Sequence, residues 1–190
     1  SCQQQREHRD VLSVCVGDFL MSVLRVSGRT LLSGKNTNLK ITSIFSGGDS
    51  VEESGGYRIH TFTATGSSSL TAVNVYHGTP GSIVGSQIEY LLVGGGGGGA
   101  IVGGGGAGGM VAGSFTYAGK TSFSTTVGDG ATGVGGAGES ASGEDTTFTG
   151  LTTALGGGGG GSQGSYSALV GGSGGGGSHG GVMQNGAAGT

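Results

Sequence analysis

The sequence predicts a mainly β protein in which short antiparallel β-strands are combined with packed polyglycine-II helices, with little or no α-helix in residues 55–190. Glycine supplies 50 of the 190 residues, whereas proline occurs once. Collagen needs glycine at every third position and abundant proline, so contiguous glycine blocks exclude it. The blocks follow strand-like apolar runs, unlike a polar and monotonous linker, so we expect them to be ordered. The blocks are Gly94–Gly99, Gly103–Gly106, Gly156–Gly161 and Gly174–Gly177.

Residues 1–54 have the most ordinary composition and are predicted to form an attachment or connector segment. The apolar stretch Val11 to Val26 leaves helix and strand unresolved, and its β-branched content favours strand. Leu39 to Phe45 alternates and is predicted to be a strand that a turn at Gly47-Gly48-Asp49 closes. Met21 offers an alternative start of the chain.

Residues 55–93 are predicted to form a β-hairpin or small meander. Tyr57 to Thr65 carries β-branched and aromatic residues on an alternating period, and Gly66 ends it. Two further strands, Leu70 to Tyr76 and Ile83 to Val93, flank a turn at Thr79-Pro80-Gly81.

Residues 94–190 are predicted to be the polyglycine-II domain. Glycine loses much backbone freedom on ordering, so its blocks become ordered only where hydrogen bonds to neighbouring segments offset that loss. Helices without Cβ atoms can approach closely enough to exchange these bonds. We expect this close packing to require the structural glycines Gly94, Gly97, Gly99, Gly156 and Gly161.

Short strands alternate with the glycine blocks in this domain. They are predicted at Ser114 to Tyr117, Ser122 to Val127 and Thr146 to Leu155. A strand that ends in aliphatic residues precedes a six-glycine block twice, which indicates stacked, similar units. The aromatic residues on these strands are expected to form a small core that caps the glycine helices: Phe115, Tyr117, Phe123 and Phe148.

Charge and motifs argue against most enzyme and nucleic-acid classes. Residues 94–190 hold only five charged side chains, so no nucleic-acid footprint and no membrane insertion are expected. Gly119-Lys120-Thr121 lacks the first glycine of a phosphate loop because Ser114 occupies that position. No spacing typical of a metal site occurs, and the Gly-x-Ser-x-Gly matches follow from composition. We expect neither enzymatic activity nor a cofactor or metal.

Four segments in a fixed order resemble the glycine-rich domain of bacteriophage tail fibres and tail-fibre adhesins. They are Gly56 to Gly66, Ile88 to Gly99, Thr126 to Gly130 and Thr153 to Gly161. The resemblance implies a sandwich of polyglycine-II helices whose distal loops touch a bacterial surface protein or glycan. It covers roughly residues 55–190 and also implies a place in the virion tail and a domain that continues beyond Thr190. In that setting we expect residues 1–54 to contact other tail proteins. The resemblance is also compatible with a homo-oligomer.

The candidate receptor-binding residues are polar and aromatic groups between the glycine blocks: Gln163, Tyr166, His179 and Gln184. Loop positions of this kind often carry binding. Two alternatives remain. One is an extracellular structural filament or matrix protein assembled through polyglycine-II packing. The other is an ice-binding protein, which ranks last because no regular Thr ladder follows the glycine blocks.

Overall fold

The computed structural model describes ten β-strands and several extended glycine segments. It covers residues 9–14, 24–27, 45–55, 57–72, 87–118, 122–136, 138–163, 167–179 and 185–190. The strands are β1 (Arg9–Val14), β2 (Leu24–Ser27), β3 (Phe45–Ser46), β4 (Ser50–Ser54), β5 (Tyr57–Phe62), β6 (Gly66–Ala72), β7 (Gln87–Val93), β8 (Met110–Thr116), β9 (Ser122–Val127) and β10 (Thr147–Phe148). These ranges contain no α-helix, which confirms the mainly β class, and no helix in them could cross a membrane.

The strands form two sheets. The larger has the order β4-β5-β1-β2-β7-β8 and the smaller the order β10-β9-β6-β3. β1 and β5 are parallel, and the other described strand pairs are antiparallel. The hairpin or meander predicted for residues 55–93 is therefore wrong, because β5, β6 and β7 each pair with other strands. Alternation identifies a strand but does not specify its partner.

A small core is shared by residues from both sheets and is centred on aromatic rings. Phe123 stacks on Phe148 with centroids 5.3 Å apart, and Phe45 meets the edge of Tyr117 at 5.3 Å. Phe115 packs against this cluster from β8. The predicted aromatic core is thus confirmed. Aliphatic residues complete it, among them Leu70, Ile88, Leu92 and Val127.

Eight extended segments, labelled A to H, pack side by side in a stack next to the sheets. Their backbone hydrogen bonds recur at every third residue, which is the period of a polyglycine-II helix. The segments are A (94–100), B (103–109), C (128–134), D (140–145), E (155–162), F (167–170), G (171–177) and H (185–190). A, C, E and G run away from the sheets, and B, D, F and H run back.

The ladder between β7 and β8 continues into segments A and B without a change of register. Val93 is paired with Met110, and the N–H groups of Gly94 and Gly97 then donate to the carbonyls of Gly109 and Gly106. A strand rises about 3.3 Å per residue and a polyglycine-II helix about 3.1 Å, so one ladder accommodates both conformations. The sheets therefore set the register of the first glycine segments.

Segment E is the centre of the stack, and its residues 156–162 are all buried. Its N–H groups donate to segment A, as in Gly157 to Gly95 (2.7 Å), and to segment G, as in Gly158 to Ser173 (2.9 Å). Its carbonyls accept from B, D, F and G, so five segments bond to it among the described residues. A run of glycine is buried here with most of its backbone polar groups paired, as burial demands.

Close packing, rather than backbone conformation, explains glycine at most positions of the stack. An ideal Cβ placed on Gly97 would lie under 3.0 Å from the carbonyl oxygens of Gly157 and Gly158. At Gly96, the neighbouring position, the same atom would meet nothing within 4 Å. The three-residue period turns one face toward each neighbour, so adjacent glycines differ in what they can tolerate.

Several strand boundaries differ from the sequence prediction. β9 spans the predicted Ser122–Val127, and β8 begins four residues before the predicted Ser114. The predicted strand Thr146–Leu155 is wrong: the chain reverses at Gly150, where φ is 83°, and Thr146 bonds back to Ala154. The sequence pattern cannot distinguish two short arms from one long strand when the turn contains Thr and a single Gly.

The N-terminal predictions are described only in part. β1 and β2 overlap the two ends of the stretch Val11 to Val26, where the β-branched content favours strand. Of the predicted strand Leu39–Phe45, only Phe45 is described, at the start of β3. The turn at Thr79-Pro80-Gly81 and the flanking ends of its two predicted strands lie outside the described residues.

The predicted turn at Gly47-Gly48-Asp49 is present between β3 and β4, with φ of 123° and 94° at the two glycines. Asp49 accepts hydrogen bonds from the backbone N–H groups of Ala64 and Thr63, which lower the pKa of its carboxyl. His60 donates from Nδ1 to the carbonyl of Gly47 (2.8 Å). The turn is therefore tied to β5 and to the segment that follows it.

The different environments of Gly96 and Gly97 predict opposite effects of one added methyl group. Gly97→Ala should lower the free energy of unfolding by on the order of 3 kcal/mol, because segments A and E must separate and lose hydrogen bonds. Gly96→Ala is the matched control and should raise it by about 0.5 kcal/mol, since alanine restricts the unfolded chain. Denaturant unfolding measures both, and equal stability of the two variants would contradict the packed-segment structure.

Phe123→Ala should lower the free energy of unfolding by about 3 kcal/mol, because it removes the ring at the centre of the aromatic core. Val51 is 51% exposed on β4, so Val51→Ala serves as the control and should change stability by less than about 0.5 kcal/mol. Thermal or denaturant unfolding reports both values. A Phe123→Ala variant as stable as the control would show that the ring is not part of the core.

Stability should fall as the pH drops below the ordinary histidine pKa of 6.5, because burial lowers the pKa of His60 in the folded protein. The unfolded chain then binds more protons than the folded one, so protonation favours unfolding. Denaturant unfolding at pH 7.5 and pH 5.5 measures this slope, which His60→Gln should reduce. Asp49 titrates below pH 3.8 and does not contribute in this window. An equal slope in both proteins would contradict the assignment to His60.

Candidate functional site

The end of the stack away from the sheets, here called the distal end, is where segments A, C, E and G finish. Segment A turns back sharply there, because the N–H of Ala100 donates to the carbonyl of Gly103 (2.8 Å). Segment C finishes alongside it, with Val134 donating to the carbonyl of Gly99 (2.9 Å). The reversal after segment A and the end of segment C thus lie on one surface.

Buried serines fasten these reversals to one another. Ser162, at the end of segment E, donates from Oγ to the carbonyl of Gly136 (3.0 Å), which follows segment C. Ser140, at the start of segment D, donates from Oγ to the carbonyl of Thr132 (3.4 Å). Both serines are fully buried. Side chains at the distal end therefore sit on a backbone held by internal hydrogen bonds.

Two of the four predicted receptor-binding residues are described, and both lie at this end. Gln163 follows segment E directly and is exposed. His179 follows segment G after the buried Ser178 and is also exposed. Segments E and G run side by side, since Gly161 donates to Gly176 (2.9 Å), so the two residues extend from neighbouring segments. Tyr166 and Gln184 lie outside the described residues.

The distal end also carries exposed side chains that the sequence prediction missed. Ile101 and Val102 form the reversal between segments A and B and are 51% and 40% exposed. Glu139 is exposed just before segment D. The sequence does contain a signal for this exposure: an aliphatic pair stands between two glycine blocks, where no predicted strand or core would bury it.

This surface suits non-covalent recognition. It combines two aliphatic side chains, a carboxylate, an amide and an imidazole on a fixed backbone, and such a mixture can contact apolar and hydrogen-bonding groups together. Among the described residues, no group of three or more His, Cys, Asp or Glu side chains could hold a metal ion.

The predicted structural glycines have different roles. A Cβ on Gly94 would lie under 3.0 Å from the carbonyl of Leu155, and one on Gly156 would be equally close to that of Gly143. Gly161 is buried and bonded to both Gly103 and Gly176. The prediction that close packing requires glycine at position 99 is wrong. An added Cβ there would meet only atoms at 3.8 Å and 4.0 Å, because segment A ends at this point.

The sheets, the glycine stack and the distal surface together define a glycine-rich β protein built on backbone packing. The family described as a glycine-rich domain matches residues 71–190, more than half of the chain, and the chain belongs to this family. Neither the curated proteins nor the solved structures compared with it include a match. The matched region contains the entire glycine stack together with β7, β8, β9 and β10.

Proposed function

We propose that this protein is a phage virion component, a tail fibre or fibre-associated adhesin, that binds a bacterial surface protein or glycan through its distal end. The observation that carries the proposal is the set of exposed side chains held there by hydrogen-bonded segments. Ile101, Val102, Gln163 and His179 project from a backbone whose hydrogen bonds are internal. In this proposal residues 1–54 attach the domain to other tail proteins, and binding involves no catalysis and no cofactor.

The scarcity of charge in the stack supports recognition by shape and short-range contacts. Asp129 and Asp145 accept backbone hydrogen bonds and Glu144 is bonded to Asp129 N–H, so these carboxylates have structural roles near the sheets. Glu139 is the described charged residue at the distal end. Apolar, amide and imidazole groups would then provide most of the contact with a protein loop or a sugar.

An extracellular structural filament is the second candidate, and open glycine faces favour it. A Cβ on Gly96 or Gly104 would meet nothing within 4 Å, so packing inside the chain does not require glycine at either position. Another polyglycine-II helix could approach such a face. The filament predicts polymerisation that increases with protein concentration, whereas the adhesin predicts saturable binding to particular bacterial cells.

Substitutions at the distal end should weaken attachment without changing stability. The Gln163→Ala/His179→Ala variant and the Ile101→Ser variant should each weaken binding to host cells by on the order of 10-fold or more, as expected for residues at the centre of an interface. Labelled protein titrated onto a panel of bacterial strains, with melting followed separately, measures both properties.

Val51→Ser is the matched control for Ile101→Ser, because both side chains are 51% exposed and only Ile101 is distal. The control should bind like the unmodified protein. Unchanged binding by both distal variants would overturn the assignment of the distal end. Absence of binding to any strain, together with polymerisation, would favour the filament instead.

A further inference from the structure

The two outer strands of the larger sheet differ in charge and length. β4 at one edge has five residues and includes Glu52 and Glu53, both exposed. β8 at the other edge has seven residues, with no charge and no proline, and pairs only with β7 among the described strands. Proteins usually protect a free edge with charges, as β4 does, because unpaired backbone groups invite another strand.

The register shows which backbone groups of β8 face outward. Gly94 donates to Gly109 in the same register that pairs β7 with β8. Hydrogen-bonded pairs alternate along an antiparallel ladder, so Val111, Gly113 and Phe115 exchange bonds with β7. The N–H and C=O groups of Ala112 and Ser114 therefore point away from β7, toward an edge that no other described strand occupies.

The inner face of β8 lies at the edge of the core, where side chains are only partly covered. Val111 and Phe115 are half-buried and pack against the buried cluster, with the Phe115 ring 5.8 Å from that of Phe123. Between these two residues, Gly113 leaves room for Tyr90, since an added Cβ would lie 2.8 Å from the Tyr90 hydroxyl. A further strand beside β8 would cover both half-buried side chains.

An exposed apolar group continues from the N-terminal end of β8. Met110 is 69% exposed and Leu155 is 40% exposed, and Gly109 donates to the Leu155 carbonyl (2.7 Å). Gly172, two residues after the 62% exposed Val170, approaches Gly109. Half of the exposed large hydrophobic residues described therefore lie on segments that meet at this end of the strand.

We propose that β8 pairs in antiparallel orientation with β8 of a second copy of this chain, with Gly113 at the two-fold axis. Ala112 then lies opposite Ser114 of the second copy, so the outward backbone groups bond to each other. Val111 lies opposite the second Phe115 and extends the core across the interface. The strand is about 23 Å long, and the apolar group at each end adds area to it.

The charge pattern selects β8 over β4 for this self-association. A two-fold pairing places each strand against its own copy, so two β4 strands would bring glutamates close to glutamates, whereas β8 brings no charges together. Segment B continues directly into β8, so the antiparallel arrangement points the two distal ends away from each other. The pairing is therefore independent of the proposed receptor binding.

Sedimentation equilibrium over a range of concentrations tests the pairing. The unmodified protein should show a monomer–dimer equilibrium. Ala112→Lys/Ser114→Lys should raise the dimer dissociation constant by on the order of 100-fold, because each lysine faces a lysine of the other copy. Ser69→Lys/Thr71→Lys is the matched control, since it adds two lysines at exposed positions of β6, which is paired on both sides, and should leave the dimer intact.

Charge exchange tests the orientation. Ala112→Glu/Ser114→Glu should also be monomeric, and an equimolar mixture with the lysine variant should regain the dimer, because position 112 faces position 114. Should the charged variants fail to fold, Ala112→Cys/Ser114→Cys in a chain with Cys2 and Cys15 replaced by Ser should form inter-chain disulfides at these positions. An unmodified protein that stays monomeric, charged variants that stay dimeric, or a mixture that stays monomeric would each overturn the proposal.

Discussion

The close approach of backbones in the glycine stack is the constraint on which the rest of the structure depends. Segment E has neighbours on all sides, and its contacts consist of N–H and carbonyl groups rather than side chains. Each such bond contributes only about 1 kcal/mol net, so stability requires many of them at once. One Cβ in the wrong place separates two segments and affects several bonds together. This is why a buried run can consist of glycine alone.

The two β-sheets and the glycine stack stabilise different parts of one structure. The sheets provide the apolar core, to which aromatic residues of β8, β9 and β10 contribute. They also begin the ladders from which segments A and B continue. The stack in turn holds the chain reversals that carry the exposed distal residues. A domain with few large apolar residues can thus hold its surface loops in place, because hydrogen bonds replace side-chain packing.

The sequence predicted features that depend on local pattern and missed those that depend on distant partners. Alternation identified β9, and aromatic positions identified the core around Phe123 and Phe148. The turn at Gly150 and the strand order could not be predicted, since neither has a strong local signal. The requirement for glycine also depends on neighbours: Gly97 needs it, while Gly99 does not.

The candidate site was predictable in the same limited sense. Gln163 and His179 are polar residues between glycine blocks, a position that predicts exposure, and both are exposed at the distal end. Ile101 and Val102 were missed because their position depends on the reversal between segments A and B, which becomes evident only once the direction of every segment is known.

The length of the glycine run, rather than its composition, fixes the alignment of segment E. Sliding the segment by one turn, about 9 Å, leaves only three glycines at glycine positions. Either Thr153, Ala154 and Leu155 or Ser162 and Gln163 then enter positions where a Cβ would lie under 3.0 Å from a neighbouring backbone. The two ends of the run therefore set the native alignment. Asp145 accepts from the N–H of Gly156 (2.8 Å) at one end, and Ser162 donates to Gly136 at the other. These two side-chain bonds hold the same alignment from both ends, so a run of identical residues has one position in the stack.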